Sequence, residues 1–254
     1  MHFDIFRQKC GFSRIFYLFH FVYTICIYPP FDSHKEVIEV IMEDMITKRN
    51  QLRAQQLIQA LKQRNMDASY AATRKEALEQ ALAWIPQGSR IGWGGSVSID
   101  AIGLKDAVRQ GDYQVIDRDT AATPEEKDAM MHEILADCDY FLTSTNALSQ
   151  DGVLVNIDGT ANRLAAMCYG PRHVLYIVGM NKVVATAEDA LRRARNEAAP
   201  TNAMRFDLKT PCSKTGCCYD CKSPNTVCCQ ILFTRYNHVP GRVKVILVED
   251  SLGY

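Results

Sequence analysis

The stretch RIGWGGSVS, residues 90–98, predicts a short strand, Arg90–Trp93, that enters a glycine turn and then a helix. Glycines between a strand and a helix let the backbone approach a ligand, and the start of a helix presents unpaired N–H groups with partial positive charge. The turn is therefore a candidate site for a phosphate, pyrophosphate or carboxylate. A turn that needs glycine for its geometry alone is the alternative. The candidate ligand-binding residues are Gly92, Gly94, Gly95 and Ser96.

This turn does not carry a known nucleotide signature. Val97 stands where the third glycine of the G-x-G-x-x-G dinucleotide fingerprint would be. The turn also lacks the Gly-Lys-Ser/Thr of a phosphate-binding P-loop. The pattern indicates an anion site without naming the ligand.

Strands and helices alternate outward from this stretch. The predicted strands are 68–72, 90–93, 113–117, 140–143, 153–157, 173–178 and 242–248. The predicted helices are 42–65, 73–84, 98–109, 123–136, 161–169 and 186–198. Such alternation predicts an α/β fold: an open, mostly parallel sheet flanked by helices, with an N-terminal helical segment.

Composition fits a soluble globular protein of one large domain with appendages. The chain has 254 residues, 47% hydrophobic and 23% charged, and its formal net charge is zero. It has no basic stripe with interleaved aromatic residues, which argues against nucleic acid as a partner.

The first 41 residues differ from the rest. They hold 10 of the 23 aromatic residues and no alanine. The apolar run 15–28 is 14 residues long, short of the roughly 18 to 20 that span a bilayer. We interpret 1–41 as an extension, from a misassigned start or an apolar leader, followed by an N-terminal helical part, 42–88, and an α/β core, 89–254. A cytoplasmic location is expected and a membrane location is not, and a membrane-tethered or exported protein with disulfides is the alternative.

A second candidate site follows the strand that ends near residue 157. Alternation along a strand sends Asn156 and Asp158 to the same side, and strand ends are where open α/β sheets bind ligands. Arg163 can hold a carboxylate or phosphate through two hydrogen bonds, and Asp158 is the candidate for a polar or proton-handling role. The alternative is an Asx-turn with a solvated arginine. The candidate catalytic residues are Asp158 and Arg163, and the further binding residues are Asn156, Gly159, Asn162 and Lys182.

The loop 211–230 holds six of the ten cysteines. The pair Cys218-x-x-Cys221 has the spacing of zinc and iron–sulfur knuckles, and Cys212 and Cys228 complete a set of four ligands. The loop is therefore a candidate for zinc or an iron–sulfur cluster. Free thiols or disulfides remain alternatives.

Several motifs carry a resemblance to a known family. From about Met42 to Tyr254 the chain resembles the lactate-utilization (LUD) domain family, and within it the C-type lactate-utilization proteins. The motifs are at residues 92–96, 152–159, 162–163, 178–182, 195–203, 210–212, 221–224 and 240–248. Similar sequences are expected to have a glutamate before Ile102, where this chain has Ala101.

The resemblance implies a fold like that of the sugar-phosphate isomerase and CoA-transferase superfamily. It also implies a part in oxidising L-lactate to pyruvate with iron–sulfur partner subunits. We therefore expect a cytosolic protein that binds a small anionic metabolite and that can assemble into a homo-oligomer. A module without catalysis, whose cysteine-rich loop docks onto a redox complex, is the rival interpretation.

Overall fold

The computed structural model describes residues 31–254, so the predictions for the apolar run 15–28 lie outside the described residues. The chain divides into two compact units, Met1–Arg49 and Asn50–Tyr254. Between residues 31 and 254 no helix is both long and apolar enough to cross a membrane. The second unit carries the sheets and the candidate sites, and it includes elements that precede residue 89.

Helices and strands alternate along the second unit, as the sequence predicts. The α-helices are α1 Phe31–Gln63, α2 Arg74–Trp84, α3 Val97–Ala101, α4 Leu104–Gln110, α5 Pro124–Asp137, α6 Asn162–Cys168, α7 Ala187–Arg193, α8 Ala199–Arg205 and α9 Pro211–Thr215. The strands are β1 Asp67–Ala71, β2 Arg90–Trp93, β3 Gln114–Ile116, β4 Tyr140–Thr143, β5 Ala147–Ser149, β6 Leu154–Asp158, β7 His173–Gly179, β8 Val183–Val184, β9 Gln230–Thr234 and β10 Val243–Val248.

The main sheet has six parallel strands in the order β1-β10-β7-β4-β2-β3. From β2 the chain continues to β3 on one side, whereas from β4 it returns to β7 on the other. The loops after β2 and β4 therefore diverge and open a crevice at the carboxyl ends of these neighbouring strands. Such a switch point is where open α/β sheets bind ligands.

Apolar side chains cover both faces of the main sheet, which explains the continuous apolar run of β7. Val174, Tyr176 and Val178 pack into one core layer, and Leu175 and Ile177 pack into the other. A parallel strand that is buried on both faces carries apolar side chains on both, so its sequence does not alternate with polar residues. The mostly parallel α/β fold predicted from the sequence is confirmed.

A second, four-stranded sheet has the order β8-β5-β6-β9. Asp151 and Gly152 lie in the turn of a hairpin, because β5 and β6 on either side of them are antiparallel. β9, which follows the cysteine-rich loop, pairs antiparallel with β6. The sequence did not predict this sheet.

Two predicted helices differ in the structure. The helix predicted over 98–109 is broken at Gly103, whose φ of 73° lies in the left-handed region. The helix predicted to end before Pro200 continues through a π-helical turn, Ala194–Ala198, into α8. A proline is tolerated there because it occupies the first turn of α8.

The apolar side chains of α1 are buried over only part of the helix. Leu57 and Leu61 are fully buried together with Ala54. Ile46 and Leu52, which lie earlier in the helix, are 44% and 54% exposed. The buried stripe therefore begins at about residue 54 and follows the i, i+3, i+7 spacing of a helix.

Candidate functional site

A cleft of about 560 Å³ lies at the switch point of the main sheet. The turn after β2 provides Gly95, Ser96 and Ser98, and the turn after β4 provides Ser144 and Thr145. The segment after β6 forms a further wall. Both loops that the sequence marked as anion sites therefore line one cleft.

Basic side chains outnumber acidic ones in the lining of this cleft. The basic residues are Lys105, Arg118, Lys127, Arg163, Lys182 and Arg205. The acidic residues are Asp100, Asp119 and Asp158. Because like charges gathered in a crevice focus the field there, the cleft favours an anionic ligand.

Lys182 lies at the wall of the cleft and is only 3% exposed. Its Nζ lies 3.0 Å from Ser98 Oγ and 3.0 Å from Ser144 Oγ. Burial lowers the pKa of Lys182 to about 7, and the charges of Arg193 and Arg163 contribute in the same direction. Close to neutral pH, a large share of this side chain is therefore an uncharged amine.

Asp158 and Arg163 form an ion pair with each other, with 3.2 Å between Arg163 Nε and Asp158 Oδ2. Arg163 Nη2 also donates to the carbonyl oxygen of Ile157 at 2.6 Å, and Asp158 Oδ1 accepts from the N–H of Gly159 at 2.9 Å. These bonds hold both side chains in place, and both residues line the cleft.

Gly94 makes room for Arg163. A methyl group at Gly94 would lie 2.6 Å from Arg163 Cγ and 2.9 Å from Cδ, closer than van der Waals contact. At the neighbouring Gly95 the nearest atom would be 3.9 Å away, on Arg205. Packing against Arg163 thus excludes a side chain at Gly94, whereas Gly95 leaves open space beside the cleft.

Besides Lys182, three basic side chains of the cleft lack a carboxylate partner within the described part of the chain. Arg118 has a buried Nε without a hydrogen bond, and its Nη1 contacts only Met131 Sδ, at 3.4 Å. Burial lowers the pKa of Arg118. Arg205 stacks on Phe206 at 4.3 Å, and among residues 31–254 no ion pair is formed by Arg205 or Lys127. These groups are free to meet an anion.

Trp93 connects the sheet to the charged wall of the cleft. Its fully buried indole donates from Nε1 to Asp119 Oδ2 at 2.9 Å, and Lys105 Nζ binds the same oxygen at 2.8 Å. Burial alone would raise the pKa of Asp119, but the hydrogen bonds from Lys105 and Trp93 outweigh it and lower that pKa. Arg109 lies 5.3 Å from the indole ring.

The predicted binding residues separate into two groups. Those that line the cleft are Gly95, Ser96, Asp158, Gly159, Asn162, Arg163 and Lys182. Those outside its lining are Gly92, Gly94 and Asn156. Gly92 lies within β2 against Ile134, and Asn156 is fully buried in β6, where its amide has no hydrogen-bond partner among the described residues.

The long helix expected behind the glycine turn is absent from the described fold. α3 has only five residues, so its dipole contributes little to anion binding. The basic side chains carry the positive charge instead. Ser144 and Arg118, which the sequence analysis missed, follow β4 and β3, and the rule that ligands bind at carboxyl ends of parallel strands could have found them.

The cysteine-rich loop has no disulfide among the described residues, whose eight cysteines are all free thiols. Burial, followed by the neighbouring Cys218, Cys212 and Cys221, raises the pKa of Cys228 to about 11. Cys212, Cys218 and Cys221 are therefore close enough to Cys228 for their charges to act on it. From residue 31 onward, however, no three Cys, His, Asp or Glu side chains converge as a metal site requires.

The loop also borders the cleft. Val227 lines the cleft, and the N–H of Cys229 donates to the carbonyl oxygen of Asp158 at 3.0 Å. The loop is therefore hydrogen-bonded to the end of β6.

Comparison with known proteins agrees with the resemblance read from the sequence. No curated protein matches the chain. The crystal structure of a DUF162 family protein from Deinococcus radiodurans is 13% identical, covers 78% of this chain and 98% of its own, and gives a TM-score of 0.46. Residues 54–248, more than half of the chain, match the family model of the LUD domain. The chain therefore belongs to the LUD domain family, which is related to lactate utilization.

Proposed function

We propose that the cleft binds a small carboxylate of the 2-hydroxy or 2-oxo acid class, such as L-lactate or pyruvate. The observation that carries the proposal is the excess of basic side chains, four of them without a carboxylate partner among the described residues. Guanidinium groups such as those of Arg118 and Arg205 hold carboxylates through two hydrogen bonds. Membership of the LUD family favours this class of acid over other anions.

Oxidation of L-lactate to pyruvate removes two electrons and two protons, so an electron acceptor is needed. The side chains that line the cleft supply basic, hydroxyl and amide groups, which bind and orient an acid. We propose that an iron–sulfur partner subunit supplies the acceptor, and we assign to this chain the binding and orientation of the acid.

Titration calorimetry with L-lactate, pyruvate and inorganic phosphate tests the binding proposal. We expect both carboxylates to bind, and Arg205→Gln to weaken binding about fivefold, close to 1 kcal/mol for an exposed cation. Lys62→Gln removes the same charge from an exposed site outside the cleft and should leave Kd unchanged. Equal losses in the two variants, or binding of phosphate alone, would contradict the proposal.

We propose in addition that the thiol loop takes up a metal ion or cluster, which draws Cys212, Cys218, Cys221 and Cys228 together. Support comes from the proximity of Cys212, Cys218 and Cys221 to Cys228, although their described arrangement is not a coordination sphere. No step of ligand binding depends on this metal.

Elemental analysis of protein purified without oxygen tests the metal proposal. We expect about one equivalent of zinc, or iron with the colour of a cluster, and loss of either in Cys221→Ser. Cys168→Ser, at an exposed thiol outside the loop, is the matched control. Protein without bound metal would contradict the metal proposal and favour the interpretation of the loop as free thiols.

A further inference from the structure

Lys182 is a buried amine held by two hydroxyl groups. Ser98 Oγ donates its own hydrogen to the carbonyl oxygen of Leu252 at 3.1 Å, and Ser144 Oγ points toward that of Thr145 at 3.5 Å. Both serine oxygens are therefore available as acceptors for Lys182 Nζ.

A neutral amine fits this arrangement without a missing partner. Its two hydrogens are used by the two serines, which leaves the nitrogen lone pair uncommitted on a side chain that lines the cleft. An ammonium group would have a third hydrogen, and the described residues offer no ion pair for it. Its charged neighbours are Arg193 and Arg163, which repel a positive charge.

We propose that Lys182 Nζ is a nucleophile that forms an imine with the carbonyl carbon of a 2-oxo acid bound in the cleft. This inference rests on the proposed binding of a carboxylate. The lone pair of the amine forms the C–N bond, the two amine hydrogens leave with the carbonyl oxygen as water, and no electrons are gained or lost.

The charges around Lys182 favour 2-oxo acids over other carbonyl compounds. In a 2-oxo acid the electrophilic carbon is bonded directly to the carboxylate carbon. A lysine that attacks it must therefore lie close to the cations that hold the carboxylate. Arg163 is near enough to act on the charge of Lys182 and lines the same cleft.

Lys105 provides an internal comparison in the same cleft. Its Nζ forms ion pairs with Asp100 at 2.9 Å and with Asp119 at 2.8 Å. A protonated amine has no lone pair to attack with. If reactivity depends on the environment described for Lys182, Lys105 should not react even though the ligand reaches it.

Reductive trapping tests the proposal. The full chain is incubated with pyruvate and cyanoborohydride, which supplies the hydride that reduces an imine to a stable amine, and peptides are mapped by mass spectrometry. We expect one adduct per chain, on Lys182, at a level at least about tenfold above that on Lys105. Lys182→Met should give no adduct at saturating pyruvate.

The outcomes separate this inference from the function on which it rests. Adducts spread over exposed lysines, or pyruvate that binds by calorimetry but is never trapped, would overturn the nucleophile and leave carboxylate binding in place. Failure of pyruvate to bind would overturn both. The mapping uses the wild-type chain, so the result does not depend on the folding of a variant.

Discussion

Replacement of Lys182 with methionine is expected to raise the free energy of unfolding at pH 6, by an upper limit of about 5 kcal/mol. The limit follows from a pKa that falls from 10.5, the ordinary value for lysine, to about 7 in the fold, at about 1.4 kcal/mol per unit. Methionine has a similar length and no charge to bury. In the variant, Ser98 and Ser144 lose their hydrogen bonds to Lys182, which reduces the gain in stability.

The pH dependence of this effect has a definite sign. Between pH 7 and 10.5 the unfolded chain binds a proton that the folded chain has released, so the contribution of Lys182 to wild-type stability rises with pH. Below pH 7 the unfavourable contribution is complete, and above 10.5 it has disappeared. The advantage of the methionine variant should therefore shrink from pH 6 to pH 10.

Urea denaturation of both proteins at several pH values checks this prediction, because other titrating groups cancel in the difference. Lys105→Met is the matched control, since Lys105 is ion-paired and its loss should bring no gain at pH 6. A difference that stays constant from pH 6 to pH 10 would show that the Lys182 amine is charged in the fold.

Alanine at Gly179 is expected to destabilise the protein by about 3 kcal/mol or more. The added methyl group would lie 2.6 Å from the carbonyl oxygen of Asp250 and 2.6 Å from the nitrogen of Leu252, and it would also collide with Asn181. Leu252 is fully buried, so its backbone has little room to move away.

Gly179→Ala should also disturb the structure of the cleft. The N–H of Leu252 donates to Asn181 Oδ1, and the carbonyl oxygen of Leu252 accepts from Ser98, a partner of Lys182. Chemical denaturation measures the loss of stability. Gly95→Ala is the control, because its methyl group would meet nothing closer than 3.9 Å. If the two alanine variants are equally stable, the close packing around Gly179 is incorrect.

Local sequence patterns predicted the main sheet, because the signals for a strand or for the start of a helix lie within a few neighbouring residues. Thr73 and Thr123, at which two of the predicted helices begin, each cap a helix by accepting from an N–H three residues on. The second sheet was missed because β5 and β8 have only three and two residues, too few to show an alternation.

The site was predicted in part for a similar reason. Lys182 and the turn at Gly95 follow strands directly, so their place at the sheet edge could be read from the order of elements. Arg205 reaches the cleft from α8, beyond a π-helical turn that no sequence pattern indicated. Asn156 shares a side with Asp158 as alternation requires, yet it is enclosed within the second sheet.

The hydrogen bond from Trp93 to Asp119 gives the protein an intrinsic fluorophore beside its cleft. The chain has two tryptophans, and the other, Trp84, ends α2 beneath Lys244. The emission wavelength of an indole responds to the electric field across its ring. An anion that shifts Lys105 or Asp119 would therefore change the emission wavelength of Trp93. Ligand binding in the cleft can then be followed by fluorescence without any attached label.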